Sequence, residues 1–149
     1  MGRITKLIRL PFADKRLLAQ SVLALASMRL GLSLLRFETL RRAIDRLSKI
    51  EPGETRRQPR LVRKVIWSIN VVSTYLPFRN CLNRALAVQL LLARRGQPVD
   101  LSIGVRRSTE GEFKAHAWIE YNGHVVLGHV EELSELTPLP RLSLRNVRS

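Results

Sequence analysis

The sequence predicts an α+β chain in which helices come first and a small antiparallel sheet follows. Three observations carry that expectation. Apolar residues recur at spacings of three and four through roughly the first two thirds of the chain. From Val99 onward they alternate with polar ones, the period of a half-buried strand. Between two such alternating runs stands Asn122-Gly123, the strongest short hairpin signal in the chain. Helices followed by strands in separate blocks mark an α+β domain.

Each element can be justified in turn. Ile4, Leu7, Ile8 and Leu10 among Arg3, Lys6 and Arg9 make a short amphipathic segment ending at Pro11. Asp14 suits the cap of a helix running from about Lys15 to Leu35. Between Leu17 and Leu35 its only charge is Arg29, a length and composition that would permit a membrane span. Gln20, Ser21, Ser27, Arg29 and Ser33 favour instead a helix buried within a helical layer, with Gly31 weakening its last turns or permitting close packing. Phe37 to Ile50 places Phe37, Leu40, Ala43, Ile44 and Leu47 on one face. Glu51 to Thr55 is a loop by its Pro/Gly chemistry. Pro59 opens a further helix whose stripe runs through Val62, Val65, Ile66, Ile69, Val72 and Leu76, with Trp67 expected in the core and Pro77 as the stop.

Next comes a helix from about Cys81 to Arg95, apolar on most of its surface and closed by Gly96. It is expected to be the central helix of the fold, covered on more than one side. Strands are expected over Val99–Arg106, Phe113–Tyr121 and His124 to about Val130, three in all. The chain is read as a single domain, 1–149, with a helical N-terminal part (1–76), a core of helix and sheet (77–139), and a tail (140–149) expected to be partly disordered.

Charge is the unusual feature. The 26 Lys+Arg against 12 Asp+Glu give a net +14 and a pI near 11.5. Such a surface favours an acidic partner, although arginine used wherever any polar residue suffices explains the count equally well. Aromatics are only 5% and the basic residues are spread along the chain, so no nucleic-acid partner is expected. One cysteine excludes a disulfide framework and a cysteine-only metal site. His116, His124 and His129 lack tight ligand spacing, so no metal and no cofactor is expected. There is no phosphate-binding Gly-rich loop and no nucleophilic serine elbow. No secretory signal is recognisable, which makes the cytoplasm the expected compartment, and membrane contact is not favoured.

The chemistry-bearing residues are Cys81, where a loop becomes a helix, and His116, inside the strand Ala115-His116-Ala117-Trp118-Ile119-Glu120. Unpaired N–H groups and the dipole at a helix start stabilise a thiolate, Arg79 and Arg84 add positive charge, and an imidazole can take the proton. A third group holding the ring belongs on the neighbouring strand. If Asn122-Gly123 is a two-residue turn, His116 comes opposite His129, with Glu131 diagonal to it. A three-residue loop would instead set His116 opposite Gly128, with Glu132 further along the same face. The third member stays open among His129, Glu131 and Glu132. The bland alternative is a basic binding module in which Cys81 is a small core residue.

The blocks Cys81-Leu82-x-Arg84-Ala85-Leu86-Ala87, Leu91-Leu92-x-Arg94-Arg95-Gly96, Ile103-Gly104-Val105-Arg106 and Ala115-His116-Ala117-Trp118-x-Glu120 together resemble the lasso peptide leader peptidases, the transglutaminase-like cysteine proteases also called the microcin-processing family. The resemblance implies a transglutaminase/papain-like fold. It also implies removal of the leader from a ribosomally made precursor peptide, with Cys81 as nucleophile and His116 as general base. Partners implied are the precursor leader, a separate leader-recognition protein of PqqD-like fold, and the lasso cyclase. A transglutaminase-like acyltransferase or amidase shares the same thioester step. The family's acid, about twelve residues after its histidine, falls here on Gly128, a departure from the pattern.

Overall fold

The computed structural model describes residues 2–48, 57–76, 80–97, 99–107, 109–128 and 137–138. Five helices come first: α1 (Gly2–Ile8), α2 (Phe12–Leu34), α3 (Phe37–Ser48), α4 (Pro59–Tyr75) and α5 (Cys81–Ala93). The strands β1 (Asp100–Arg107), β2 (Phe113–Tyr121), β3 (His124–Leu127) and the two-residue β4 (Thr137–Pro138) follow. The class is α+β, as expected. The sheet is antiparallel in the order β3-β2-β1-β4. The loop Glu51–Thr55, Pro77 and the tail 140–149 lie outside the described residues.

Helix α5 is the centre of the molecule. Ala85, Leu86, Ala87, Val88 and Leu92 are fully buried, and the helix packs against α2, α3, α4, β1 and β2. Fully burying a side chain of this kind contributes about 1.5–3 kcal/mol, which is why an apolar helix takes the central place. Its C-terminal end is tied down by Gln97, a residue 2% exposed. The Gln97 amide oxygen accepts from the Gln58 backbone N–H at 3.0 Å and from the Tyr121 hydroxyl at 3.3 Å. One buried amide thereby joins the start of α4, the end of α5 and the end of β2.

The seam between α2 and α4 contains polar contacts among its apolar ones. The hydroxyls of Ser21 and Ser68 lie 2.7 Å apart, and Lys64 Nζ donates to Asp14 Oδ1 at 2.6 Å. Gly31 permits the close packing of α2 on α3: a Cβ there would lie 2.8 Å from Leu40 Cδ1.

Three expectations are corrected. Asp14 is not the cap: α2 starts at Phe12 after Pro11, and Asp14 stands inside its first turn, paired with Lys64. Helix α2 buries only one face: Leu17, Ser21, Ala24, Leu25 and Met28 point inward, whereas Phe12, Leu23, Leu30 and Leu34 are exposed. Trp67, expected in the core, is 37% exposed. Its neighbours Ile66 and Ser68 point inward, and the helical turn carries the indole off the buried stripe.

Candidate active site

Cys81 is the first residue of α5 and half-buried against the core. The preceding Asn80 caps the helix, its side-chain oxygen accepting from the Leu82 N–H at 3.4 Å. The thiol lies 3.9 Å from the same Asn80 Oδ1. Arg84, one turn further, shares the face of Cys81 and donates through Nη2 to Asn70 Oδ1 of α4. Burial pushes the Arg84 pKa down, and the negative end of Cys81 opposes that shift. Arginine stays protonated regardless, so a fixed positive charge stands beside the sulfur. Arg79 lies outside the described residues.

On β2 the residues alternate between two rows. Ala117, Ile119 and Tyr121 join the core that α5 shares. His116, Trp118 and Glu120 form the other row, as the sequence implies. Within it the Trp118 indole N–H donates to Glu120 Oε1 at 2.8 Å, and the His116 and Trp118 rings lie near-parallel with centroids 6.4 Å apart.

The hairpin reaches His116 by a route that no simple register predicts. Asn122 and Gly123 form the two-residue turn, both with positive φ, and Tyr121 pairs with His124. After Glu120↔Val125 the next pair is Ile119↔Leu127, so Val126 is an inserted bulge residue. The strand then ends at Leu127, and the Gly128 carbonyl oxygen lies 2.9 Å from His116 Nε2. A carbonyl can only accept, so Nε2 carries the proton, and Nδ1 of the neutral ring is the basic nitrogen. Gly128 has φ +81°, and a Cβ there would lie 2.8 Å from the Ala117 carbonyl oxygen. Only glycine fits both demands.

His129, Glu131 and Glu132 lie outside the described residues. At the position where the resemblance expects a carboxylate, the Gly128 backbone carbonyl engages Nε2. The elements α5 and β2 pack together, but the two principal residues do not meet: α5 lies on the Ala117, Ile119 and Tyr121 row, His116 stands in the other row, the thiol faces Asn80 and Nε2 faces Gly128. Among the described residues no cluster of His, Cys, Asp or Glu could hold a metal ion.

Sequence reasoning missed Asn83. It is 3% exposed, two residues after Cys81, and neither of its side-chain polar atoms has a hydrogen-bond partner among the described residues. An amide in an otherwise apolar helix was the available signal.

Residues 23–141 match the transglutaminase-like superfamily. The chain belongs to that superfamily. No curated protein and no solved structure matches the chain. The transglutaminase-like superfamily is generally one of cysteine-protease-type and acyltransferase-type enzymes, chemistry that needs the kind of thiol and imidazole described above.

Proposed function

We propose that the chain is a cysteine endopeptidase that cuts the leader from a ribosomally made lasso precursor peptide, with Cys81 as nucleophile and His116 as general base. The observations that support this reading are the superfamily match and the held imidazole: Nε2 is engaged by the Gly128 carbonyl, leaving Nδ1 with its lone pair. Because His116 stands in the row of β2 turned from α5, the reading requires the start of α5 or the end of the hairpin to move before Nδ1 meets the thiol.

In the proposed reaction Nδ1 takes the thiol proton as Sγ attacks the scissile carbonyl carbon. The tetrahedral oxyanion is met by backbone N–H groups at the start of α5. Collapse forms a thioester to the leader and breaks the peptide bond, and the departing core amine takes the proton from His116. Water, deprotonated by the same ring, then hydrolyses the thioester and frees the leader acid. No cofactor takes part.

For partners we propose the precursor leader, a separate PqqD-like recognition protein, and the cyclase that receives the core peptide. A groove of about 600 Å³ between α2 and α5 supports an acidic recognition partner. Its lining includes Arg16, Arg94 and Arg95 with Leu23 and Leu90, and none of its lining residues is acidic. Like charge from Arg94 and Arg16, after burial, holds the Arg95 pKa down. The reading places the reaction in the cytoplasm, where precursors are made.

The test is mass spectrometry of a candidate precursor incubated with the wild type, Cys81→Ala and His116→Ala. Two fragments, one heavier by water, are expected from the wild type alone. A product carrying an added amine would favour acyl transfer. Unchanged cleavage by Cys81→Ala would end the reading. Iodoacetamide labelling adds a coupling check: Cys81 is expected to alkylate fast near neutral pH and slowly in His116→Ala.

A further inference from the structure

We propose that the outward face of α2, continued by α1, docks on the surface of an anionic lipid bilayer. Helix α2 is apolar on two opposite sides, and the core accounts for only one of them. On the outer side Phe12, Leu23, Leu30 and Leu34 are 81%, 67%, 60% and 73% exposed. At the α-helical turn angle these four positions fall within about 40° of one another and span roughly 33 Å. They form one straight stripe that also includes the exposed Arg16 and Ala19 between Phe12 and Leu23, and Ile8 of α1, 66% exposed, lies in sequence just before it. Single exposed apolar residues are ordinary, whereas a continuous stripe marks an interaction surface.

Charge identifies the occupant. Between residues 2 and 36 the only acid is Asp14, which is buried and paired with Lys64 at 2.6 Å. Lys6, Arg9, Lys15, Arg16 and Arg36 are exposed. The face is therefore apolar and cationic with no exposed carboxylate, the composition of a helix lying at the headgroup boundary of an anionic membrane. Spanning the bilayer is disfavoured by the inner side: Asp14 is ion-paired with Lys64 of α4, and insertion would strip that pair along with the buried row. The helix lies on the surface, and the site on α5 and β2 stays in water. Phe12, Arg16 and Leu23 also line the groove proposed above for a recognition partner, so bilayer and partner would compete for that end of α2, while the chemistry on α5 and β2 is not involved.

The test floats the full-length chain on phosphatidylcholine vesicles with and without phosphatidylglycerol. The wild type is expected to float with the anionic vesicles only, and less as salt is raised. The variant Leu23→Glu/Leu30→Glu/Leu34→Glu is expected to lower the bound fraction on the order of tenfold or more, with an unchanged far-UV circular dichroism spectrum. Lys15→Ala/Arg16→Ala, which leaves the stripe intact, is expected to weaken binding and flatten its salt dependence. The proposal is overturned by a wild type that does not float, as a soluble acidic partner would predict. Equal flotation on neutral vesicles, full binding by the leucine variant, or release only by detergent would overturn it as well.

Discussion

The Nε2 atom of His116 is held 2.9 Å from the carbonyl oxygen of Gly128, twelve residues on and just past the end of β3. Backbone thus takes the position in which a carboxylate is expected. A neutral carbonyl orients the ring and selects its tautomer as a carboxylate would, but supplies less stabilisation to an imidazolium.

Gly128→Ala tests that arrangement. The substitution adds a Cβ 2.8 Å from the Ala117 oxygen at φ +81°, so the carbonyl must move. Stability is expected to fall by about 1–3 kcal/mol, and turnover on the order of tenfold or more through loss of ring orientation. Nitrogen-15 NMR of His116 separates the two effects, because unfolding alone does not change the tautomer of the folded fraction. The wild type is expected to carry the proton on Nε2 and the variant to lose that preference. An unchanged tautomer with unchanged turnover would remove Gly128 from the account.

Asn80 gives a second test at the other half of the site. Asn80→Ala removes the acceptor for the Leu82 N–H and is expected to destabilise by about 1 kcal/mol, read as a lower midpoint in urea. Asn80→Asp keeps the cap but sets a negative charge where Oδ1 now lies 3.9 Å from the thiol. Thiolate formation is then opposed, and iodoacetamide labelling is expected to slow while stability holds. Faster labelling in the Asp variant would show that Asn80 does not face the sulfur in solution.

Much of this was legible from residue order, and the remainder has identifiable physical causes. Helix α5 begins at Cys81, β2 contains His116, and the Asn122-Gly123 turn pairs Tyr121 with His124; each follows from local chemistry. The bulge at Val126 does not, because an inserted residue answers to tertiary packing and leaves no side-chain signature. For the same reason Gly128 read as a gap in the pattern: a backbone carbonyl has no letter in the sequence. Composition made α2 apolar all round, but which face is buried depends on α4 and α5. The two-residue β4, paired with Gly104 and Val105, is too short for any periodicity to reveal.

The hydroxyl pair in the α2–α4 seam is expected to matter little. Ser21 donates to the Leu17 carbonyl at 2.9 Å and Ser68 to the Val65 carbonyl at 2.7 Å, so neither proton remains for the 2.7 Å contact between them. Three hydrogen bonds cannot be made with two protons. Ser21→Ala/Ser68→Ala removes both partners together, a change that is close to neutral when the shape is kept. Its urea midpoint is expected within about 0.5 kcal/mol of the wild type. A loss several times larger would indicate a buried water or a wider polar network in the seam.

Asn83 presents the opposite case, a buried amide with nothing to bond among the described residues. Both of its polar atoms lack partners there at 3% exposure, and an unsatisfied buried group of this kind costs about 1–3 kcal/mol. Asn83→Leu, similar in shape and wholly apolar, is therefore expected to stabilise the chain by about 1 kcal/mol, seen as a thermal midpoint raised by about 2–8 °C. Position sharpens the expectation. The residue stands two places after the thiol, and proteins retain such penalties mainly where function needs the polar group. The Leu variant is expected to be more stable and slower, with the loss in turnover rather than in substrate affinity. A stabilised variant with full activity would make Asn83 a packing imperfection; a destabilised one would mean that the amide has a partner in solution.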